Sequence, residues 1–543
     1  MKKFAGIAVL LAACAGWAQS PAAPKPVALM AGLSSLHHPV STHNPEAQQF
    51  FDQGLRLVYA FNHEEAARSF QRAAELDPQL GMAWWGVALA IGPNYNLDVD
   101  AERERMAFDA VDKAKALSGD APQIEKDYIE AMAKRFSHDA QPIYHQLAAD
   151  YAHAMRDLSR KYPDDLDAAT LFADSMMNLR PWKLWNPDGT PAEGTNEIVA
   201  ALEGILRSDP NHIGAMHLYI HAVEASPHPE RALPYADRIA ALAPAAGHLV
   251  HMPAHIYERT GNFGGAREQN AAAAKADEDY AAATGAQGMY MMMYYSHNLH
   301  FGAIAASMQG HCAEAQRSAD RLASNLEPAM KEMPMVEPFV AVRLAVAVRC
   351  GRWDDLLAMS EPAGQTPVLK VFWLYSHGIA LVAHGKIAEA EALETQIAAI
   401  EKATSRDDLF MPPVENRSWQ IFHIADDVLA ARIAAAKGDK PHAVERLRDA
   451  VVNQDHLLYD EPADWYYPVR ESLGGLLLQA GDAKAAEQVF RDDLQQNPRN
   501  PRSLFGLAEA LTRQNRDYEA SWVKQQFQSA WRGADLELKV KDL

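Results

Sequence analysis

Helix-period stretches rich in Ala, Leu, Glu and Gln fill the chain from about residue 47 to residue 530, and short turn signals built on Gly, Pro and Asp punctuate them. No strand-period segment of any length interrupts the series, so the pattern predicts an all-α fold. The signals repeat. Gly54, Ala66, Phe70, Ala73 and Pro78 follow one another at spacings of 12, 4, 3 and 5 residues. Small Gly54 and Ala66 suit a place where two antiparallel helices touch, Phe70 and Ala73 lie on the inner face of the second helix, and Pro78 closes it. Trp84-Trp85-Gly86 opens the next unit, and Asp209-Pro210, Ala243-Pro244 and Asp277-Glu278 mark unit ends about 34 residues apart. Later copies are marked by Gly351-Arg352-Trp353, Gly385-Lys386, Gly438-Asp439 and Gly481-Asp482, the last with Ala486, Phe490 and Pro498. A final unit runs from Pro501 to Phe527.

These residues and their period resemble the tetratricopeptide-repeat family over about residues 47 to 530. The resemblance implies a right-handed α-solenoid, a superhelix of nine to eleven helix pairs in which each unit touches mainly its neighbours. The expected organisation is residues 1–19 a signal segment, 20–46 an N-terminal tether, 47–179 amino-terminal units, 180–195 a Trp-containing insert, 196–328 central His-rich units, 329–530 carboxy-terminal units and 531–543 a tail. Further inserts are expected at 93–100, 280–294 and 403–417, where long loops in a compact array are either functional or mobile. Trp182 and Trp185 in the 180–195 insert suit either a lid or plain packing.

The resemblance also implies that positions 2, 5, 9 and 12 of each first helix face the concave groove. With units opening at Ile213 and Gly247, position 5 is His217 and His251, position 9 is His221 and His255, and position 12 is Glu224 and Glu258. His248 adds a position 2, and a third unit opening near Ser296 adds His297 and His300. Seven of nine slots at positions 2, 5 and 9 are therefore histidine, whereas 22 histidines in 543 residues would fill well under one by chance. Residues four apart on a helix have Cβ atoms about 5–6 Å apart and packed helices lie about 8–10 Å apart, so two neighbouring helices can offer several imidazoles to one ion. Neutral imidazole suits copper, zinc, iron or nickel, with Glu224 or Glu258 as ligand, orienting partner or general acid and base. Met289, Met291, Met292 and Met293 just before His297 lean the choice toward copper, although methionines at the start of a long helix also suit a core. The competing use of such a face is a proton-sensitive groove for a peptide or carboxylate partner.

Further candidates border the same units: Asn178 and Arg180 for an anionic ligand, and Trp182, Trp465, Tyr467 and Arg470 for stacking and charge. His63 opens a second helix that Asn62 caps. Phosphate loops, dinucleotide fingerprints, Gly-x-Ser-x-Gly elbows, paired Cys-x-x-Cys motifs and His-Glu-x-x-His are all missing; the repeated motif is His-x-x-x-His-x-x-Glu.

A net charge of −20, from 51 Lys and Arg against 71 Asp and Glu, argues against nucleic acid as a partner. Lys2 and Lys3, the apolar run Phe4–Ala13 and the small residues that follow read as an export signal, with ordinary cleavage before Gln19 or a lipid-bearing Cys14 as the two routes. The protein is thus expected to be periplasmic or secreted, with an outer-membrane lipid anchor if Cys14 is used. Cys312 and Cys350 remain, as one bridge or two buried thiols. The sequence reads as an exported metal-binding repeat protein with a small or peptide ligand. Catalysis stays open, and a non-catalytic envelope scaffold or a metal storage and delivery protein are the alternatives.

Overall fold

The structure, a computed structural model, describes residues 25–543 apart from Val99, Ala140, Gln141 and Pro413. The signal segment and Cys14 lie outside the described residues. Among these the chain forms 25 α-helices and no strand, only isolated bridges such as Asn94 with Leu97. The helices stack as about twelve antiparallel pairs, more than the nine to eleven expected. The excess arises between Ala101 and Lys161, where helices stack without the Gly, Ala, Phe and Pro landmarks at their usual spacing.

The landmarks have a direct packing cause. Phe70 is fully buried, and its ring leaves no room for a side chain on either flanking helix: a Cβ on Gly54 would stand 2.7 Å from it and one on Gly86 2.3 Å. Phe490 repeats the arrangement between Gly474 and Gly506, at 2.4 and 2.1 Å. Turns between paired helices are equally regular. Gly261, Gly438 and Gly481 take positive φ of 78°, 87° and 88°, and the following Asn262, Asp439 and Asp482 cap the next helix.

The array curls until distant units touch. Residues 33–256 form one core and 263–543 a second. Glu64 in the first pair accepts from the backbone N–H of Met289 (2.9 Å), and Asp535 near the other end accepts from the backbone N–H of Cys312 (2.8 Å). The middle helices are therefore walled on all sides, and Ile213–Glu224 buries every one of its residues.

Three expectations need correction. Residues 25–43 are no tether: Leu33 is buried, Gly32 O accepts from Ala245 N (3.0 Å), and His38 Nδ1 meets Asp167 Oδ2 at 2.8 Å. The region 280–294 is mostly helix, because Phe263–Thr284 and Met289–Met308 both run past the unit length and leave only 285–288 between them. The first helix of the Gly247 unit is two short ones, Gly247–His251 and Pro253–Arg259, because Pro253 has no N–H to offer the Leu249 carbonyl.

Cys312 and Cys350 are joined, with Cα atoms 5.7 Å apart, tying Cys312–Leu326 to Glu337–Arg349 across 38 residues. Closing a loop of that length contributes about 2–4 kcal/mol. Reduction, or a Cys312→Ser, Cys350→Ser double variant, is expected to lower the thermal midpoint by several degrees in calorimetry; an unchanged midpoint would show the bridge to be inert.

Burial pulls the His38 imidazolium down, but the carboxylates of Asp167, Asp165 and Asp52 outweigh it and His38 titrates above its ordinary value. A histidine raised in the fold contributes stability while charged and loses it as the pH climbs through that raised value. Residues 25–43 are expected to be cut faster by protease as the pH goes from about 6 to about 9, with His38→Gln abolishing the difference.

Candidate metal centre

His217 and His221 stand on Ile213–Glu224, His248 and His251 on Gly247–His251, His255 on Pro253–Arg259, and His297 and His300 on Met289–Met308. The repeat spacing stacks them in register. His212 fixes the start of the first helix by accepting from Ala215 N at 3.2 Å. Despite the break at Pro253, His251 and His255 still meet, with Nε2 atoms 2.8 Å apart.

The rings do not line an open groove. Six of the seven are between 0 and 3% exposed, and only His297 is partly accessible. Aromatic side chains brought in by the curl of the array cover them. Phe61, at the first inter-helix turn, has its ring centroid 4.3 Å from His217 and 5.3 Å from His248. Tyr294 lies 4.9 Å from His248, and Phe301 lies 4.9 Å from both His251 and His255. Tyr95 and Trp182, from two separate inserts, stack at 5.4 Å and border His221.

Six of the imidazoles gather in two sets of three. His217, His221 and His248 each offer a nitrogen, all within 4.8 Å of one another, and His251, His255 and His297 do the same. In the first set His217 Nδ1 donates to the Tyr59 carbonyl (2.6 Å) and His221 Nδ1 lies 3.0 Å from Glu224 Oε1. Both Nε2 atoms are thereby left for the interior, where His217 Nε2 and His248 Nε2 are 3.0 Å apart and His221 Nε2 has no protein partner. In the second set Asn270 Nδ2 donates to Ala266 O, so its Oδ1 accepts from His251 Nδ1 (2.6 Å), again freeing Nε2. His300 does not join: its ring packs against Phe339 and Tyr466, and neither nitrogen has a partner.

Glu224 sits between the sets. Its Oε2 lies 2.9 Å from His255 Nδ1, which also touches Glu461 Oε2. Glu461 was not legible in the sequence: it comes from the aperiodic loop after Lys440–Asp455, far along the chain, with only the neighbouring acids Asp460 and Asp464 as a signal. Glu258 occupies the repeat-equivalent of Glu224 but pairs with no imidazole, and its Oε1 has no partner. Burial, with Glu461 nearby, holds it protonated well above the carboxylate range, so it lacks the ionised state that Glu224 keeps.

Burial, reinforced by neighbouring imidazoles, pushes His217, His248, His251 and His297 well below their ordinary value, which keeps them in the neutral form that ligates metals. Burial alone takes His300 to about 3. His255 is the exception: Glu224 and Glu461 reverse the effect of burial and raise it to about 10.

Of the outlying candidates Trp182 borders His221, and the others are held by their own neighbours. Asn178 bonds Asp174, Arg180 pairs with Glu193 at the surface, and Arg470 pairs with Asp455. Trp465 packs on Phe372 and Tyr375, and Tyr467 meets Ser307 and Arg349. Of the methionines, Met292 and Met293 pack against the second core, as the core reading has it, and Met289 is exposed.

No family model and no curated protein matches the chain. Among solved structures it is similar to human IFIT1 dimer with m7Gppp-AAAA, at 12% identity over 91% of this chain and 92% of that one, with a TM-score of 0.34. The APC/C hetero-tetramer Cut9-Hcn1 matches at 11% identity over 93% and 77%, TM-score 0.30, and the P58(IPK) TPR domain at 12% over 86% and 98%, TM-score 0.22.

The set carrying His248 is fixed to the helix carrying His297 through Asp277, which accepts from Tyr290 Oη (2.9 Å) and Asn298 Nδ2 (2.7 Å), while Tyr290 Oη accepts from His248 N (3.2 Å). Gly247 makes room for that carboxylate: a Cβ there would fall 1.9 Å from Asp277 Oδ1. Gly247→Ala is expected to destabilise the protein by about 1–3 kcal/mol, whereas Gly204→Ala, whose Cβ would meet only Arg207 at 3.6 Å, gains a fraction of that from helix propensity. Paired thermal melts check this, and equal shifts would refute it.

Proposed function

We propose that the chain is a transition-metal-binding protein whose ion sits inside the helical array and takes a small molecule as its remaining ligand. One observation carries the reading: three buried nitrogens of His217, His221 and His248 converge, two of them oriented from outside by the Tyr59 carbonyl and Glu224. The donors are neutral imidazoles and the two described cysteines are tied up with each other, which favours copper, zinc or iron over softer thiolate chemistry. Among these, copper binds most tightly to a given nitrogen set. Three nitrogens leave coordination positions open, the arrangement of metal sites that act on a substrate. Burial of the rings supports an ion that is retained over one that is stored and handed on, and a small ligand over a peptide lying in a groove. Glu224 is the acid or base that this chemistry has to hand. The disulfide and the amino-terminal Lys-plus-apolar pattern support a place outside the cytoplasm.

A second reading, an interaction scaffold, is favoured by Tyr518 and Trp522, which stand 77% and 55% exposed on the last long helix. It does not use the histidines.

Protein purified without a histidine tag is expected to carry stoichiometric copper, zinc or iron by elemental analysis, and a His217→Ala, His251→Ala double variant to lose it while keeping its helical circular dichroism. Absence of metal after loading with each of the three ions would leave the scaffold reading alone.

A further inference from the structure

We infer that the histidine cluster is a two-ion centre: one ion in the set His217, His221 and His248, a second in the set His251, His255 and His297, with Glu224 as a positioning residue shared by both. This rests on the metal reading above and goes beyond it in number and arrangement.

Ligand reach is the first argument. Nitrogens on one transition metal lie about 2.0–2.1 Å from it, so any two of them are within about 4.2 Å of each other. The nitrogens of each set meet within 4.8 Å, close enough to converge after small ring rotations, yet among the described residues the two sets stay separate at that limit. One ion cannot draw on all six rings. Within each set two nitrogens already approach nose to nose, His217 with His248 at 3.0 Å and His251 with His255 at 2.8 Å, all four being Nε2 atoms that point into the interior.

The outer partners are the second argument. An imidazole that ligates through Nε2 needs its Nδ1 proton held. The first set has the Tyr59 carbonyl on His217 and Glu224 Oε1 on His221; the second has Asn270 on His251, and Glu224 Oε2 with Glu461 on His255. The first set is thus supplied with one neutral acceptor and one carboxylate, the second with one neutral acceptor and two carboxylates. Glu224 is common to both because one of its oxygens meets His221 and the other His255. The sets are also in contact, with His221 5.5 Å from His255 and His248 5.9 Å from His251 between ring centroids.

Charge is the third. All six ligands are neutral when bound, so two divalent ions bring four positive charges into a buried space where Glu224 and Glu461 are the carboxylates that face the rings. The remainder is met by a small anion, hydroxide being the simplest, on the open positions.

The test is metal stoichiometry and spin coupling in full-length protein loaded with Cu(II). Two ions per chain are expected, with an electron paramagnetic resonance spectrum broadened by a second copper nearby. His217→Ala, His248→Ala and His251→Ala, His297→Ala should each bind one ion and give a sharp, isolated-copper spectrum. Glu224→Gln, which keeps size and most packing, should weaken both ions by about 10- to 100-fold, against one ion only if Glu224 serves a single set. One ion in the unaltered protein overturns the pair and leaves the metal reading standing; none overturns both. Two ions retained after the loss of His251 and His297 would put the second ion elsewhere, such as on Glu224, His255 and Glu461, and would also overturn the assignment.

Discussion

A buried polar atom without a partner costs about 1–3 kcal/mol, and the centre of this molecule concentrates such atoms where an ordinary core has methyl groups. His221 Nε2, His248 Nδ1, Glu258 Oε1 and both nitrogens of His300 lie out of water without a hydrogen bond, and His255, Glu224 and Glu461 are buried there as an ion-paired group. A fold tolerates that cost only where the geometry is held from all sides, and the rest of the chain does so. Phe61 closes one side, Tyr95 with Trp182 another, Phe301 supports the floor, and the loop of Glu461 arrives from the carboxy-terminal units. A cation answers the inward Nε2 atoms, because a neutral imidazole nitrogen that carries no proton is a lone-pair donor.

What the sequence disclosed is what the repeat controls. A 34-residue period places His217 over His251, His221 over His255 and Glu224 over Glu258, and the stacked helices kept the imidazoles in register even with Pro253 breaking one of them. The Gly54–Phe70–Gly86 spacing was legible for the same reason, since one ring wedged between two helix backbones is a local requirement. The period breaks down as a guide for the carboxylates. Glu224 faces two imidazoles and Glu258 faces none, because a loop outside the repeat, carrying Glu461, takes the place beside His255.

What stayed hidden depends on curvature. Whether a groove is open or filled follows from the small rotation between successive units summed over the array, and no single unit states it. Hence the histidines read as a concave surface and turned out to be interior, Phe61 covers them although nothing in the repeat singled it out, and residues 25–43 read as a tether and turned out to be docked through Leu33 and His38. His300 shows the converse error: a unit opening at Ser296 puts it on the histidine face, but it lies against Phe339 and Tyr466, and Phe301, one turn after His297, is the residue that joins His297 against His251 and His255.

Ends that fold back onto the middle also constrain how such a chain can change over generations. An open solenoid grows or shrinks by duplicating or dropping a unit, since each new copy meets only its neighbours. Here Glu64 reaches Met289 and Asp535 reaches Cys312, so one additional copy anywhere between would carry these partners apart and uncover the centre. The number of units between these partners is therefore locked, and descendants of this protein are free to vary in loops and surface but not in that count.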